Sequence, residues 1–124
     1  MKVLALDFGS ARTGVAVSDP TGVVARPTGV VERVGSDAGF GRLLGLIADE
    51  APELVVVGMP LTLRGEHGEQ ARETAEFVER LQHALDVPVE TYDERFTSVL
   101  ADGDDALAAA HLLSSFLEWQ SASR

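Results

Sequence analysis

The sequence predicts an α/β fold: a five-stranded mixed sheet, with three antiparallel strands first and two parallel strands after them, flanked by helices. Three observations lead there. Residues 2–34 hold three strand-like runs separated by turn residues, without a helical period. The remainder alternates helix, strand, helix, strand and helix, the order that builds parallel units. Within it, Leu54-Val55-Val56-Val57-Gly58 is a continuous β-branched run with no polar alternation, as a strand covered on both faces requires.

Each element has its own signal. Residues 2–8 are apolar up to Phe8-Gly9, and a Gly-Ser-Ala-Arg turn joins them to a second strand at residues 13–18. Asp19-Pro20-Thr21-Gly22 is strong turn chemistry, and the Val- and Thr-rich stretch Val23 to Val34 follows as a third antiparallel strand. Ser36 or Asp37 can cap a helix whose apolar residues Phe40, Leu43, Leu44, Ile47 and Ala48 recur at helical spacing up to Pro52. The β-branched strand ends at Met59-Pro60. The loop Leu63 to Gly68 leads into a helix from about Glu69 to Leu85, with Ala71, Ala75, Val78, Leu81 and Leu85 as its stripe. Val87 to Tyr92 is a fifth strand, and Asp105 to Trp119 a last helix. The ribonuclease H-like fold has this element order. No internal repeat, low-complexity tract or linker marks a second domain, so residues 1–124 are expected to form one.

Composition narrows the chemistry. With no cysteine, a disulfide framework, a thiolate zinc site and a cysteine nucleophile are excluded, and a metal would have to bind oxygen or imidazole. The chain opens directly into Lys2-Val3-Leu4-Ala5-Leu6, with no charged leader and no apolar run near the length of a membrane span; a soluble, cytoplasmic protein is the expectation. A formal charge of −10 argues against nucleic acid, since phosphate contacts usually need a basic face. Many of the acids (Asp49, Glu50, Glu69, Glu73, Glu76, Glu79) fall on exposed helix faces, however, and net charge constrains solubility better than partners.

Three carboxylates stand where burial makes them costly. Asp7 ends an otherwise apolar central strand, and an ionised carboxylate there costs several kcal/mol unless something compensates it. A metal ion would do so; an Asx turn onto Gly9 and Ser10 is the alternative. Asp105 heads the helical stripe Ala109, Leu112 and Phe116, either for chemistry or for the helix dipole, with Asp102 or Asp104 as the cap. Glu94 follows the fifth strand, at the end of the sheet where open α/β sheets bind ligands, and a surface pair with Arg95 is its plain alternative. Convergence of the three would suit two magnesium or manganese ions roughly 4 Å apart, stabilising the attacking water and the leaving oxygen of a phosphodiester. Arg12, Arg95 and Thr97 could then contact flanking phosphates, or simply be solvated.

The run Leu6-Asp7-Phe8-Gly9-Ser10-Ala11-Arg12-Thr13-Gly14-Val15-Ala16-Val17-Ser18-Asp19-Pro20 resembles the opening motif of the YqgF/RuvX family. Val55 to Pro60, Asp93-Glu94-Arg95-Phe96-Thr97-Ser98 and Asp105 to Ala109 resemble its later motifs, in the same order, over nearly the whole chain. The resemblance implies a ribonuclease H-like, RuvC-related fold and a metal-dependent nuclease. It further implies a cytoplasmic role in maturing the 5′ end of 16S ribosomal RNA, or resolution of Holliday junctions by a dimer. Asp7, Glu94 and Asp105 take the family's catalytic and metal-binding positions, with Mg2+ or Mn2+ as cofactor. RuvC-type resolvases carry an acid at the end of strand four, where this chain reads Gly58-Met59-Pro60, so the resemblance requires Glu94 to supply that ligand from the neighbouring strand.

One departure is large. The family carries a helix and a basic loop between its Thr-Ser and Asp-Ala motifs, whereas only Val99 to Asp104 separate Ser98 from Asp105 here. Either the segment is genuinely short, or a stretch is missing from the sequence as written; the abrupt stop after Val99-Leu100-Ala101 favours the second. Thr62 stands where the family often has Asn, a smaller departure. His67 in a glycine-flanked loop could assist a proton, but is more simply exposed; His83 and His111 have no partner at zinc-ligand spacing, and Ser114 and Ser115 lack a nucleophile motif. Phe116 and Trp119 could serve a homodimer contact or pack the last helix on the sheet. Two other functions stay open. Asp7 to Ser10 with Thr13 also resembles the phosphate loop of actin-like ATPases and sugar kinases, which need two such domains. A non-catalytic module binding RNA or protein on the same fold would suit the acidic charge.

Overall fold

The computed structural model describes residues 1–60, 68–94 and 104–122. Eight elements follow the expected order: β1 (Val3–Asp7), β2 (Arg12–Ser18), β3 (Ala25–Glu32), α1 (Asp37–Glu50), β4 (Leu54–Met59), α2 (Glu69–Ala84), β5 (Val89–Asp93) and α3 (Asp105–Ala122). The sheet runs β3-β2-β1-β4-β5. β2 is antiparallel to both β1 and β3, while β4 is parallel to β1 and β5, giving the mixed sheet expected from the sequence.

Side-chain alternation sends each strand's residues to two separate cores. Leu4, Leu6, Val15, Val17, Val55 and Val57 face α1 and α2, meeting Phe40, Leu43, Ile47, Phe77, Val78 and Leu81. Val3, Ala5, Ala16, Leu54, Val56 and Tyr92 face α3 and meet Ala109, Leu112, Leu113 and Phe116. Burial on both faces explains why β4 shows no polar alternation: all six of its residues are buried.

Local chemistry sets the boundaries. Ser36 caps α1 by accepting from the Gly39 amide at 3.0 Å, and α1 ends at Ala51, which is left-handed at φ 48° directly before Pro52. The third strand begins at Ala25, not Val23. The carboxylate of Asp19 accepts from the amides of both Val23 and Val24 at 2.8 Å, drawing those residues into the turn. The same contacts, with the Thr21 hydroxyl and amide, hold the Asp19 carboxyl well below its ordinary range. The fifth strand likewise starts two residues late, at Val89: Pro88 has no N–H to give to the ladder, although its carbonyl still accepts from the Val55 amide at 3.0 Å. No helix among the described residues is long and apolar enough to cross a membrane.

Candidate nuclease site

Two glycines flank Asp7 and shape the end of the sheet. Asp7 closes β1 on the α3 face, its cross-strand partner on β2 is Gly14, and Gly58 lies near the end of the adjoining β4 on the same face. Neither glycine leaves space for a side chain. A Cβ on Gly14 would fall 1.8 Å from the backbone oxygen of Asp105, so the first turn of α3 rests directly on the backbone of β2. A Cβ on Gly58 would fall 2.5 Å from Glu94 Oε1 and 2.9 Å from its Cγ, because the Glu94 side chain lies across the end of β4. One niche seats Asp105 and the other admits Glu94, which brings both acids towards Asp7.

The carboxyls of Asp7 and Glu94 are hydrogen-bonded to each other. Burial, the bond to Asp7 and the negative charges of Asp7 and Asp93 push the Glu94 carboxyl up to about 8. Asp7 is raised by burial and by the charge of Asp105, an effect partly offset by its bond with Glu94. Around neutral pH the pair therefore holds one proton, with Glu94 donating to an Asp7 carboxylate. The Asx turn expected as an alternative for Asp7 does not account for the turn amide: Gly9 N–H donates to Thr13 Oγ1 at 3.4 Å.

Asp105 is not the cap of its helix. Asp104 takes that role, its Oδ1 accepting from the Leu107 amide at 3.0 Å and its carbonyl from the Ala108 amide at 2.9 Å. Asp105 is thereby left for another partner, and Arg12 Nε meets its Oδ2 at 3.2 Å. Arg12, expected to contact a phosphate, is thus paired at the mouth of the site with its side chain mostly exposed. Arg95 and Thr97, the other expected phosphate contacts, lie outside the described residues, as do His67, Thr62 and the short segment before Asp104.

The donor set suits a hard divalent cation: two touching carboxyls that repel one another until a proton or a cation intervenes, with a third acid close enough to raise Asp7. Among the described residues, no three acidic or histidine side chains are arranged as a finished ligand set. Asp7 and Glu94 meet, whereas Asp105 is held by Arg12. The remaining residues weighed from sequence sit apart. His83 lies 4.0 Å from Glu79 on the exposed side of α2. Ser115 bonds the Tyr92 hydroxyl at 2.9 Å, and Trp119 packs on Tyr92 and Phe116, as docking of the last helix requires.

The sequence reading missed the two glycine niches. Half of their signal was present, since a glycine inside a strand marks a close backbone approach; which acid each one meets is set by strand register.

Comparison with known proteins identifies the family and agrees with the fold. Residues 1–119 match the family described as RuvX: Holliday junction resolvase. A protein of Maridesulfovibrio salexigens, named as a candidate pre-16S rRNA nuclease, is 40% identical over 104 residues, covering 84% of this chain and 77% of its own. A protein of Sulfurihydrogenibium sp. with the same name is 39% identical over 132 residues, covering 94% and 90%. That alignment is longer than the 124-residue chain itself, so the relative carries residues with no counterpart here. The structure of Thermus thermophilus RuvC in complex with a Holliday junction substrate matches with a TM-score of 0.66 over 99% of this chain and 97% of that one; at 18% identity it shows the shared ribonuclease H-like fold. On the strength of the matched residues and the relatives' identity over most of their length, the chain belongs to the RuvX family of nucleases.

Proposed function

We propose that the chain is a divalent-metal-dependent endonuclease acting as one domain, and that its substrate is the precursor of 16S ribosomal RNA, cut at the 5′ side. The observation that carries the chemistry is the Asp7–Glu94 carboxyl pair, half-buried at the end of the sheet with Asp105 beside it. The names of the relatives carry the choice of RNA. Asp7, Glu94 and Asp105 would hold Mg2+ or Mn2+, which when bound supplies Lewis acidity at the scissile phosphate and the counter-charge the acids lack.

The chain's own residues do the rest. Glu94 must release the proton it shares with Asp7 before both carboxylates can act as ligands. Asp105 joins them by parting from Arg12, and the freed guanidinium is placed to take a phosphate oxygen by charge-assisted hydrogen bonds. Gly14 seats the backbone of Asp105, and Gly58 leaves room for the Glu94 side chain beside Asp7.

Branched DNA is the second reading, favoured by the family description and by the junction-bound RuvC structure. The test is parallel cleavage of a precursor 16S RNA fragment and a four-way DNA junction, with Mn2+ or Mg2+ and with EDTA, by wild type and Asp7→Asn. Metal-dependent cutting of the RNA, lost in the variant, is expected. Cutting of the junction alone would transfer the assignment to DNA, and no cutting of either would leave a binding module.

A further inference from the structure

Among the described residues, Arg33 and Ala51 alone have a positive φ without being glycine, Arg33 at 51°. Ala51 closes α1 ahead of Pro52, whereas Arg33 closes no helix; it follows β3 directly. Main-chain bonds hold it there. Its amide donates to the Ala11 carbonyl at 3.0 Å, and its carbonyl accepts from the Ser36 amide at 3.0 Å and from the Ser36 hydroxyl at 2.7 Å. A Cβ on Gly39 would fall 1.9 Å from that carbonyl oxygen, so the first turn of α1 rests on it. All of these contacts use the Arg33 backbone alone, and glycine or asparagine would make them at less steric cost. The arginine side chain is exposed and has no carboxylate partner among the described residues. A strained residue whose side chain the fold does not use points to a role outside the fold.

That side chain stands at the end of the sheet that holds the acids. Asp7 ends β1 opposite Gly14 of β2, and at the start of β2 Arg12 lies opposite Glu32, the last residue of β3 before Arg33. With strands about 4.8 Å apart, Arg33 lies about 10 Å to the side of Asp7 and further out, next to Arg12. We propose that Arg33 holds a phosphate of the substrate strand, on the β3 side of the one at Asp7; as a contact to a substrate it rests on the nuclease reading. A strand with one phosphate at Asp7 carries its neighbours out over the end of the sheet, where the charges of Asp7, Glu94 and Asp105 repel them. Arg12 and Arg33 lie along that path, and a guanidinium takes a phosphate by two parallel charge-assisted bonds. The fixed Arg33 backbone leaves only side-chain freedom to be lost on binding.

The test compares Arg33→Asn, Arg33→Lys and the control Arg26→Gln, an exposed arginine at the opposite end of β3. Affinity for a single-stranded fragment of precursor 16S RNA is measured by fluorescence anisotropy in EDTA over a salt series, with thermal unfolding beside it. Arg33→Asn is expected to bind about tenfold more weakly, to lower the slope of log affinity against log salt by about one, and to unfold no earlier than wild type. Arg33→Lys should keep the slope, and Arg26→Gln both slope and affinity. Fragments in which single phosphates are replaced by neutral methylphosphonates then locate the contact: one position should weaken wild type and leave Arg33→Asn unmoved. An unchanged affinity in Arg33→Asn, an equal loss in Arg26→Gln, or the absence of any such position would overturn the contact. Cleavage with Mn2+ is followed in parallel. Cutting by wild type that Arg33→Asn matches in KM and kcat defeats the contact and spares the nuclease; an Arg33-dependent affinity with no cutting by wild type defeats the nuclease and spares the contact.

Discussion

The proton shared by Asp7 and Glu94 makes stability depend on pH in a direction opposite to that of most carboxylates. In the unfolded chain Glu94 titrates near 4.5, and in the fold near 8. Between those values the folded protein keeps a proton that the unfolded chain has released, so the metal-free fold has this contribution in full below about 4.5. It is lost progressively as pH rises and is gone above about 8. In a dry site that difference would amount to about 5 kcal/mol, but solvent reaches the end of the sheet and Asp7 shares the proton, so about 1–2 kcal/mol is the working magnitude. Glu94→Gln imitates the protonated side chain at every pH. In EDTA, thermal unfolding of wild type and Glu94→Gln should nearly coincide at pH 5 and separate by about 4–8 °C at pH 9, with the variant the more stable. Curves that stay parallel from pH 5 to pH 9 would refute the shared-proton account; a variant less stable at pH 9 would show that the ionised pair is already compensated.

The same proton must leave before a cation enters, so Mn2+ affinity measured by calorimetry should rise with pH up to about 8 and release a proton on binding. Gly58→Ala pushes a methyl group into Glu94 and towards Leu112; the Glu94 tip can swing away, so thermal stability should change little while cleavage falls about 10- to 100-fold. Gly14→Ala meets backbone that cannot swing, and urea denaturation should show a loss of about 3 kcal/mol, an unchanged midpoint being the contrary result. Arg12→Gln removes an exposed pair and should alter stability by less than about 1 kcal/mol. If Arg12 takes a phosphate in the complex, the slope of log affinity against log salt should fall by about one in that variant.

The element order was legible because burial leaves period-two and period-3.6 patterns in the chain: a run such as Leu54 to Val57 cannot be exposed, and Phe40, Leu43 and Ile47 of α1 cannot face water, although Ala48 at the end of that stripe does. Boundaries were less so, since they are decided by single side chains. Asp19 bonds the amides of Val23 and Val24 and removes two β-branched residues from β3, an outcome that propensity alone opposes. At the site, the acids could be suspected from the cost of their positions, and Asp104 relieves Asp105 of capping as one of the alternatives allowed. What no linear pattern carries is distance across strands. That Gly14 faces Asp7, that Gly58 lies beneath Glu94 and that Arg12 reaches Asp105 all arise from register and from the packing of α3 on β2.

The seating of α3 on Gly14 has a consequence for substitution. Asp105 meets the backbone of a residue 91 places earlier in the chain. A side chain added in the first hairpin would therefore displace an acid of the last helix as directly as a change beside that acid, so the two distant positions answer to one steric limit.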